Sequence, residues 1–267
     1  MKILIISGYF PPYNAIGSVR VGKFAKFLID EGKEIRVLTS KNYDLKKNLI
    51  QEIDNKFIYE TEWFDYLLIK EKFLNSFQRL LNIKIDSQSK VVNKTGFFQN
   101  FVKSLIFWPD RQTFWYFSGG KKGEEIIKKW RPDVIYASAW PITSLIIAKT
   151  LSEKFKIPWV AELRDLWIDN HYNNYPFWRR FYDKRLEKKV LSSANLLITV
   201  SEPLKKVLSS KFDVPVLVIR NGFDKNDYKK HFKLKKNNHF IITYTGTLYQ
   251  NKRDPTPLFE ALSQMDQ

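Results

Sequence analysis

The sequence predicts an α/β protein built on a doubly wound, mostly parallel sheet. Short apolar runs rich in β-branched residues recur along the 267-residue chain, and most of them are continuous rather than alternating. Amphipathic helical patterns lie between them. Continuous apolar strands are typical of parallel sheets buried on both faces, and the alternation of strands and helices is typical of a Rossmann-like fold.

Eight segments have the apolar character of strands. They are residues 2–7, 34–40, 56–60, 133–138, 158–163, 195–200, 215–220 and 240–246. The first, KILIIS, runs into Gly8 as the first strand of many nucleotide-binding proteins does, but no G-x-G-x-x-G follows it. The turn after this strand is therefore not the dinucleotide-binding one.

Three helical patterns fill the gaps between strands. The apolar side chains of residues 21–28 fall on one face, and Gly32 follows as a stop signal. Residues 145–155 and 202–212 show the same periodicity, with Ser201 as the predicted N-cap of the second of these helices.

Residues 63–130 interrupt this rhythm, because they are rich in aromatic side chains and lysines. One interpretation is a helical insertion that packs its aromatics on the sheet. The other is an amphipathic, basic–aromatic surface that lies in a lipid headgroup layer. No apolar run in the sequence approaches the roughly 20 residues of a membrane-spanning helix.

The predicted domain organisation has three parts. We expect an N-terminal domain over residues 1–224 and an exposed linker over residues 225–238, which are rich in Lys and Asn. Residues 239–267 contain one strand and one helix, which bury no core by themselves. We therefore expect them to be the first βα unit of an incomplete second Rossmann-like domain.

Composition limits the classes of function. The chain has no cysteine and only three dispersed histidines, so disulfides and thiolate metal sites are excluded and no metal site is expected. Its net charge of +17 favours an anionic partner: a phosphorylated substrate, anionic lipid or nucleic acid. The basic residues are scattered and no nucleic-acid motif is present, so we expect no nucleic-acid partner.

Five segments, in this order, resemble bacterial glycosyltransferases of family 4, in the branch that assembles cell-surface polysaccharides. They are FPPYNAIGSVR, ELRDLW, TVSEPLKK, VIRNGFD and YTGTLYQNKRDP. The resemblance implies the GT-B architecture, in which two Rossmann-like domains face each other across a cleft. It also implies that the first domain mainly holds the acceptor, that the second mainly holds the nucleotide-sugar donor, and that transfer retains the anomeric configuration.

The resemblance also implies a set of residues that bind the donor diphosphate. Gly17 and Arg20 belong to the first segment, where a helix N-terminus and a guanidinium attract phosphate. The alternative is an ordinary strand–helix turn. Gly246, Lys252 and Arg253 belong to the fifth segment, where the alternative is that the two basic residues are loop charges.

The acceptor side of the expected cleft lies at the ends of central strands. Arg164 and Asp165 follow a buried strand, and the resemblance implies that they orient the acceptor, with Asp165 available for acid–base catalysis; the alternative is pairing with neighbouring charges. Trp140 is expected to stack on a sugar ring or to be buried in the core. Asn221 is expected to contact the acceptor or simply to form a turn.

The resemblance predicts transfer of a sugar from a nucleotide-sugar donor to a polyprenyl-diphosphate-linked glycan, with no metal cofactor. The anionic, membrane-borne acceptor predicts a cytoplasmic protein that is peripheral at the inner face of the cell membrane. Two alternatives stay open: an inactive acceptor-binding fragment of such an enzyme, and a basic nucleic-acid-binding protein.

Overall fold

The computed structural model describes residues 1–65, 107–170, 175–228, 239–246, 248 and 254–265. Its contacts divide the chain into two units, Met1–Phe223 and Asp224–Gln267. Most of the predicted insertion, residues 66–106, lies outside the described residues.

The first unit contains a seven-stranded sheet in which every strand is parallel to its neighbours. The strands are β1 (Lys2–Ser7), β2 (Glu34–Ser40), β3 (Ile58–Thr61), β4 (Val134–Ala139), β5 (Trp159–Leu163), β6 (Leu196–Thr199) and β7 (Val216–Val218). Their order in the sheet is β3-β2-β1-β4-β5-β6-β7. This arrangement confirms the predicted doubly wound, Rossmann-like fold.

Helices connect the strands. In the first unit they are α1 (Ile16–Asp30), α2 (Trp115–Trp130), α3 (Thr143–Phe155), α4 (Phe177–Leu191) and α5 (Glu202–Lys211), and a 3₁₀ turn over Asn55–Phe57 precedes β3. The described residues of the second unit form α6 (Lys225–Tyr228) and α7 (Thr256–Met265). No helix in the described ranges is long and apolar enough to cross a membrane.

The hydrophobic core lies on both faces of the sheet. In β1, Leu4 and Ile6 belong to one buried cluster, whereas Ile3 and Ile5 belong to another. Successive side chains of a strand point to opposite faces, so a strand covered on both sides needs apolar residues at every position. This burial explains why KILIIS reads as a continuous apolar run.

Helix α2 is the described end of the predicted insertion, and it packs against the sheet. Trp115 at its start is fully buried, and its indole N–H donates to Thr61 Oγ1 at 2.7 Å. For these residues, the interpretation of a helical insertion that places aromatics on the sheet agrees with the structure.

Helix α4 was not predicted from the sequence. Three of its buried residues are charged, Arg179, Asp183 and Glu187, spaced four residues apart, and apolar Val190 and Leu191 are buried only in its last turn. Each charge has a partner: Asp183 accepts from the Trp108 indole at 2.8 Å, and Lys211 donates to Glu187 at 3.1 Å. Because charged residues occupy the inward face, the helix lacks the apolar periodicity that indicates amphipathic helices.

The second unit differs from the prediction at residues 240–246. Within the described range 239–246, this apolar run pairs with no strand. A β-strand obtains its backbone hydrogen bonds from a neighbouring strand, and the described residues of this unit include no other strand. The predicted helix near the end of the chain does form, as α7.

Candidate active site at the carboxyl edge of the sheet

The sheet order places β1 beside β4, where the direction of the crossover connections reverses. In open α/β sheets, ligands bind outside the carboxyl ends of the strands at this switch point. A pocket of about 560 Å³ lies at this edge. Its lining residues are Tyr9, Ala15, Ile16, Gly17, Leu45, Trp140, Arg164, Asp165, Val200 and Asn221. We refer to it as the edge pocket.

Arg164 and Gly17 meet at the wall of the edge pocket. The Arg164 side chain donates from Nε and Nη2 to the Ala139 carbonyl at the end of β4, at 2.9 and 2.5 Å. A Cβ atom at position 17 would lie 2.3 Å from Arg164 Nη1 and 2.6 Å from Nη2. Gly17 therefore leaves room for the guanidinium, a role that the sequence did not predict.

The surroundings of Arg164 have opposing effects on the pKa of its guanidinium group. Burial lowers the pKa of the guanidinium from its ordinary value, whereas the negative charge of Glu162 raises it. An arginine remains protonated even after a moderate decrease. The edge pocket therefore has a fixed positive charge beside the first turn of α1.

Arg20 was predicted to bind the donor diphosphate, but its guanidinium is already engaged. Its Nε donates to Glu162 at 2.8 Å, and Nη2 donates to the Ile219 carbonyl at 2.8 Å. Nη1 donates to the Arg220 carbonyl and to Asn221 Oδ1, at 3.1 and 3.0 Å. These contacts make Arg20 a positioning residue that ties α1 to β5 and to the segment after β7.

The sequence did not single out Glu162 as a functional residue. It is buried at the end of β5, and its second carboxylate oxygen accepts from Ser138 Oγ at 2.6 Å. The carboxylate also acts on Tyr136, whose pKa is raised first by burial and next by this negative charge. A buried glutamate two residues before Arg164 was the available signal, because such a charge needs a cationic partner.

The predicted acceptor residues line the edge pocket together. Asp165 is exposed to it, and none of the described residues forms a hydrogen bond or ion pair with its carboxylate. Trp140 is partly buried and packs on the core while also lining the pocket. Asn221 lines it too, although its Oδ1 is used by Arg20.

The remaining predicted donor residues fall in the second unit or outside the described residues. Gly246 lies in the second unit. Lys252 and Arg253 are outside the described residues. The structure therefore brings together five predicted residues: Gly17, Trp140, Arg164, Asp165 and Asn221.

A second pocket, of about 490 Å³, shares Tyr9 and Trp140 with the edge pocket. We call it the aromatic pocket. Its other lining residues are Phe107, Pro109, Asp110, Arg111, Gln112, Pro141, Tyr175 and Arg179. Sequence analysis missed it, because residues 107–112 reach the sheet edge only through tertiary structure.

Asp110 fixes one wall of the aromatic pocket. Its carboxylate accepts from the Thr143 backbone N–H at 2.8 Å and from Thr143 Oγ1 at 2.9 Å, at the start of α3. Burial raises the pKa of Asp110, and its hydrogen bonds oppose that increase. Burial and then the Asp110 charge raise the pKa of the nearby Tyr9 to about 12, so this phenol is neutral at physiological pH.

Both arginines of the aromatic pocket are neutralised by carboxylates. Arg111 donates to Asp44 at 2.7 Å and to Asp65 at 2.5 Å. Arg179 pairs with Asp183 at 3.3 Å and lies 4.0 Å from the centre of the Tyr175 ring. Three paired carboxylates and Asp110 outnumber the two guanidinium groups. An anion would meet net negative charge here, so the pocket suits a neutral ligand with apolar faces and hydroxyl groups.

Among solved structures, the similar chains have low sequence identity and TM-scores below 0.5. Sucrose-phosphate synthase from Thermosynechococcus elongatus is 12% identical with a TM-score of 0.49, over 84% of this chain and 48% of that one. The Anabaena protein HepE, in complex with UDP and glucose, is 16% identical with a TM-score of 0.40, over 85% and 46%. The chain thus spans about half the length of these proteins. No curated protein has a significantly similar sequence.

The family comparison is more direct. The model described as Glycosyltransferase Family 4 matches residues 93–227. This range is half of the 267-residue chain and includes four of the five predicted residues of the edge pocket. The chain therefore belongs to glycosyltransferase family 4.

Proposed function

We propose that the protein is a glycosyltransferase that moves a sugar from a nucleotide-sugar donor to a lipid-linked polysaccharide precursor, with retention of anomeric configuration. The observation that carries this proposal is the edge pocket: in a member of family 4, it lies at the switch point and holds a fixed cation beside an unpaired carboxylate. Membership of the family supports sugar transfer, and the pocket supplies a place for it.

In this proposal, the acceptor occupies the edge pocket. Asp165 accepts a hydrogen bond from the attacking hydroxyl group, because its carboxylate faces the pocket without a partner among the described residues. A carboxylate in that position orients the hydroxyl so that it attacks from the face on which the diphosphate departs, which retains the configuration, and takes up its proton as the new bond forms and the bond to the diphosphate breaks. Arg164 stabilises negative charge that develops on the leaving diphosphate.

The aromatic pocket then holds a neighbouring sugar unit of the acceptor. Trp140 lines both pockets, as Tyr9 does, so an acceptor glycan could lie across the two side chains. Aromatic faces pack against the apolar face of a sugar ring, and the surplus of carboxylates favours an uncharged glycan over an anionic one.

The second domain supplies the donor contacts in this proposal. Gly246, Lys252 and Arg253 approach the donor diphosphate, and the positive charge of the two basic residues takes the place of a divalent metal ion. The lipid-linked acceptor places the enzyme at the inner face of the cell membrane. The chain's charge of +17 supports attraction to that anionic surface.

The test is transfer by the full-length protein. Radiolabelled nucleotide sugars are mixed with a polyprenyl-diphosphate-linked acceptor in detergent, and label in the lipid fraction is counted. Asp165→Asn should lower kcat/KM about a hundredfold, the scale of a lost acid–base group. Asp213→Asn, which removes an exposed carboxylate outside both pockets, is the matched control.

Two results would contradict the proposal. Transfer that is equal in the Asp165→Asn and Asp213→Asn variants would remove Asp165 from the chemistry. No transfer from any nucleotide sugar, by full-length protein whose thermal unfolding shows it to be folded, would contradict the enzyme itself.

A further inference from the structure

Helix α4 exposes aromatic side chains and buries charged ones, the reverse of a usual surface helix. The exposed fractions are 86% for Phe177, 53% for Phe181 and 55% for Tyr182. Arg179 and Asp183, by contrast, lie on the buried face. Single exposed apolar side chains are common, but three within six residues form a patch that indicates an interaction surface.

Cations surround these aromatics. Arg180, Lys184, Arg185, Lys188 and Lys189 are all exposed. Within the described part of the chain, none of the five forms an ion pair. The two acidic residues of the helix, Asp183 and Glu187, are buried. The exposed side of α4 therefore carries five positive charges and no negative one.

Helix geometry combines the two features on one face. Phe177, Phe181 and Arg185 follow each other at four-residue intervals and so share a stripe. The Arg185 guanidinium lies 3.5 Å from the centre of the Phe181 ring. We call this stripe, together with Tyr182 and the other exposed cations Arg180, Lys184, Lys188 and Lys189, the α4 outer face.

The helix dipole, a nucleic acid and a second copy of the chain each account for only part of this pattern. Attraction to the dipole explains cations in the last turn, such as Lys188 and Lys189, but no exposed Phe177. A nucleic acid would use the cations without requiring aromatics rimmed in this way. A second copy of the chain would place five positive charges against five others in a symmetric contact.

We propose that the α4 outer face docks on an anionic lipid bilayer, with Phe177, Phe181 and Tyr182 entering the headgroup layer and the five cations meeting lipid phosphates. Aromatic rings partition into the headgroup layer, and neighbouring lysine and arginine side chains reach lipid phosphates, so exposed groups of both kinds suit docking of an already folded helix. Charge complementarity selects acidic lipids over neutral ones.

The position of α4 links this surface to the candidate active site. Tyr175 just before the helix and Arg179 on its buried face both line the aromatic pocket. One helix therefore borders the proposed glycan subsite on its inner side and offers the docking surface on its outer side. The inference rests on the proposed function only for this link, because membrane binding itself requires neither donor nor acceptor.

The experiment is vesicle flotation of the full-length protein. One set of vesicles contains equal amounts of phosphatidylcholine and phosphatidylglycerol, and the other contains phosphatidylcholine alone. We expect binding to the first set only. Arg185→Glu/Lys188→Glu should weaken it by at least about 25-fold, since each cation near an anionic surface contributes roughly fivefold. Phe177→Ala/Phe181→Ala should weaken it about tenfold or more.

Helix α2 offers a matched control for the same chemistry. Phe117 is 70% exposed and is followed four residues later by exposed Lys121. We expect Phe117→Ala/Lys121→Glu to bind vesicles as the unmodified protein does, and Phe181→Ala/Arg185→Glu to lose binding. All four side chains are exposed on their helices, and thermal unfolding confirms that each variant is folded.

Three outcomes would overturn the inference. The first is equal vesicle binding by the α4 and α2 variants. The second is an absence of vesicle binding together with self-association, measured by light scattering, that depends on Phe181 and Arg185. This result would show that the α4 outer face binds a second copy of the chain. The third is tighter binding of an oligonucleotide through the same residues. Loss of sugar transfer with intact vesicle binding would instead contradict the proposed function alone.

Discussion

The Arg164 guanidinium occupies the space that a side chain at Gly17 would require. The distance from a Cβ atom at position 17 to Arg164 Nη1 would be 2.3 Å, far inside van der Waals contact. The guanidinium is held there by the Ala139 carbonyl, which accepts from both Nε and Nη2. The start of α1 and the end of β5 are therefore complementary in shape at the edge pocket.

This contact predicts an energetic coupling between the two residues. Gly17→Ala should lower the free energy of unfolding by about 1–2 kcal/mol, because the displaced Arg164 loses its hydrogen bonds. In an Arg164→Ala background the same change should cost nothing or stabilise, since alanine is the better helix residue. Urea unfolding of the two single variants and the double variant measures the difference. Additive effects would contradict direct contact.

The Arg20–Glu162 pair predicts a large loss of stability when one partner is removed. Arg20→Ala leaves the buried Glu162 carboxylate without its cationic partner, although Ser138 still donates to it, and this should cost about 3–5 kcal/mol. The surface pair of Lys122 and Glu125 provides the control, and Lys122→Ala should cost at most about 0.5 kcal/mol. Urea unfolding at neutral pH checks both values. Similar small decreases in the free energy of unfolding for the two variants would show that the Arg20–Glu162 pair does not stabilise the carboxyl edge of the sheet.

The fold could be predicted from the sequence more completely than the contacts of the candidate site. The strands β1 and β4 are buried on both faces and therefore have nearly continuous apolar sequences. Because this pattern is local, the parallel sheet was predictable. The contacts of Arg20 join residues about 140 to 200 positions apart in the chain, and no local pattern encodes them. In α4, the buried residues Arg179, Asp183 and Glu187 have helical spacing. Because they are charged, a search for periodic apolar residues does not find this helix.

Glu187 predicts a pH dependence of stability. Burial raises its pKa above the ordinary value of 4.5, and the charge of Lys211 opposes this increase. The folded protein then holds the proton more tightly than the unfolded chain does. The stability that this group contributes is fully present below pH 4.5 and is lost as the pH rises through the raised, folded-state pKa.

The measurement compares wild type with Glu187→Gln by urea unfolding at several pH values from about 4 to 8. Glutamine has no proton to release, so the stability of wild type relative to the variant should fall as pH increases over this range. A difference that stays constant, or that changes in the opposite direction, would show that the folded-state pKa is not raised.

The proposed absence of a metal requirement predicts insensitivity to chelation. Full-length protein treated with EDTA and then assayed without divalent ions should retain its rate of sugar transfer within about twofold, because fixed cations serve the diphosphate. The same assay with Lys252→Ala tests whether this lysine serves the diphosphate in place of a metal ion. The variant should lose about tenfold or more in kcat/KM. Recovery of lost activity by added Mg²⁺ or Mn²⁺ would contradict the prediction.

The two pockets predict that the effect of a substitution on KM depends on the number of sugar units in the acceptor. Tyr175 lines the aromatic pocket alone, whereas Trp140 lines both pockets. Tyr175→Ala should therefore raise KM about tenfold, ~1.4 kcal/mol, for acceptors with two or more sugar units and leave a single-sugar acceptor unchanged. Trp140→Ala should impair both acceptors, because its ring lines both pockets. Steady-state kinetics on the two acceptors separates these effects, and an equal loss for Tyr175→Ala on both would place no sugar unit in the aromatic pocket.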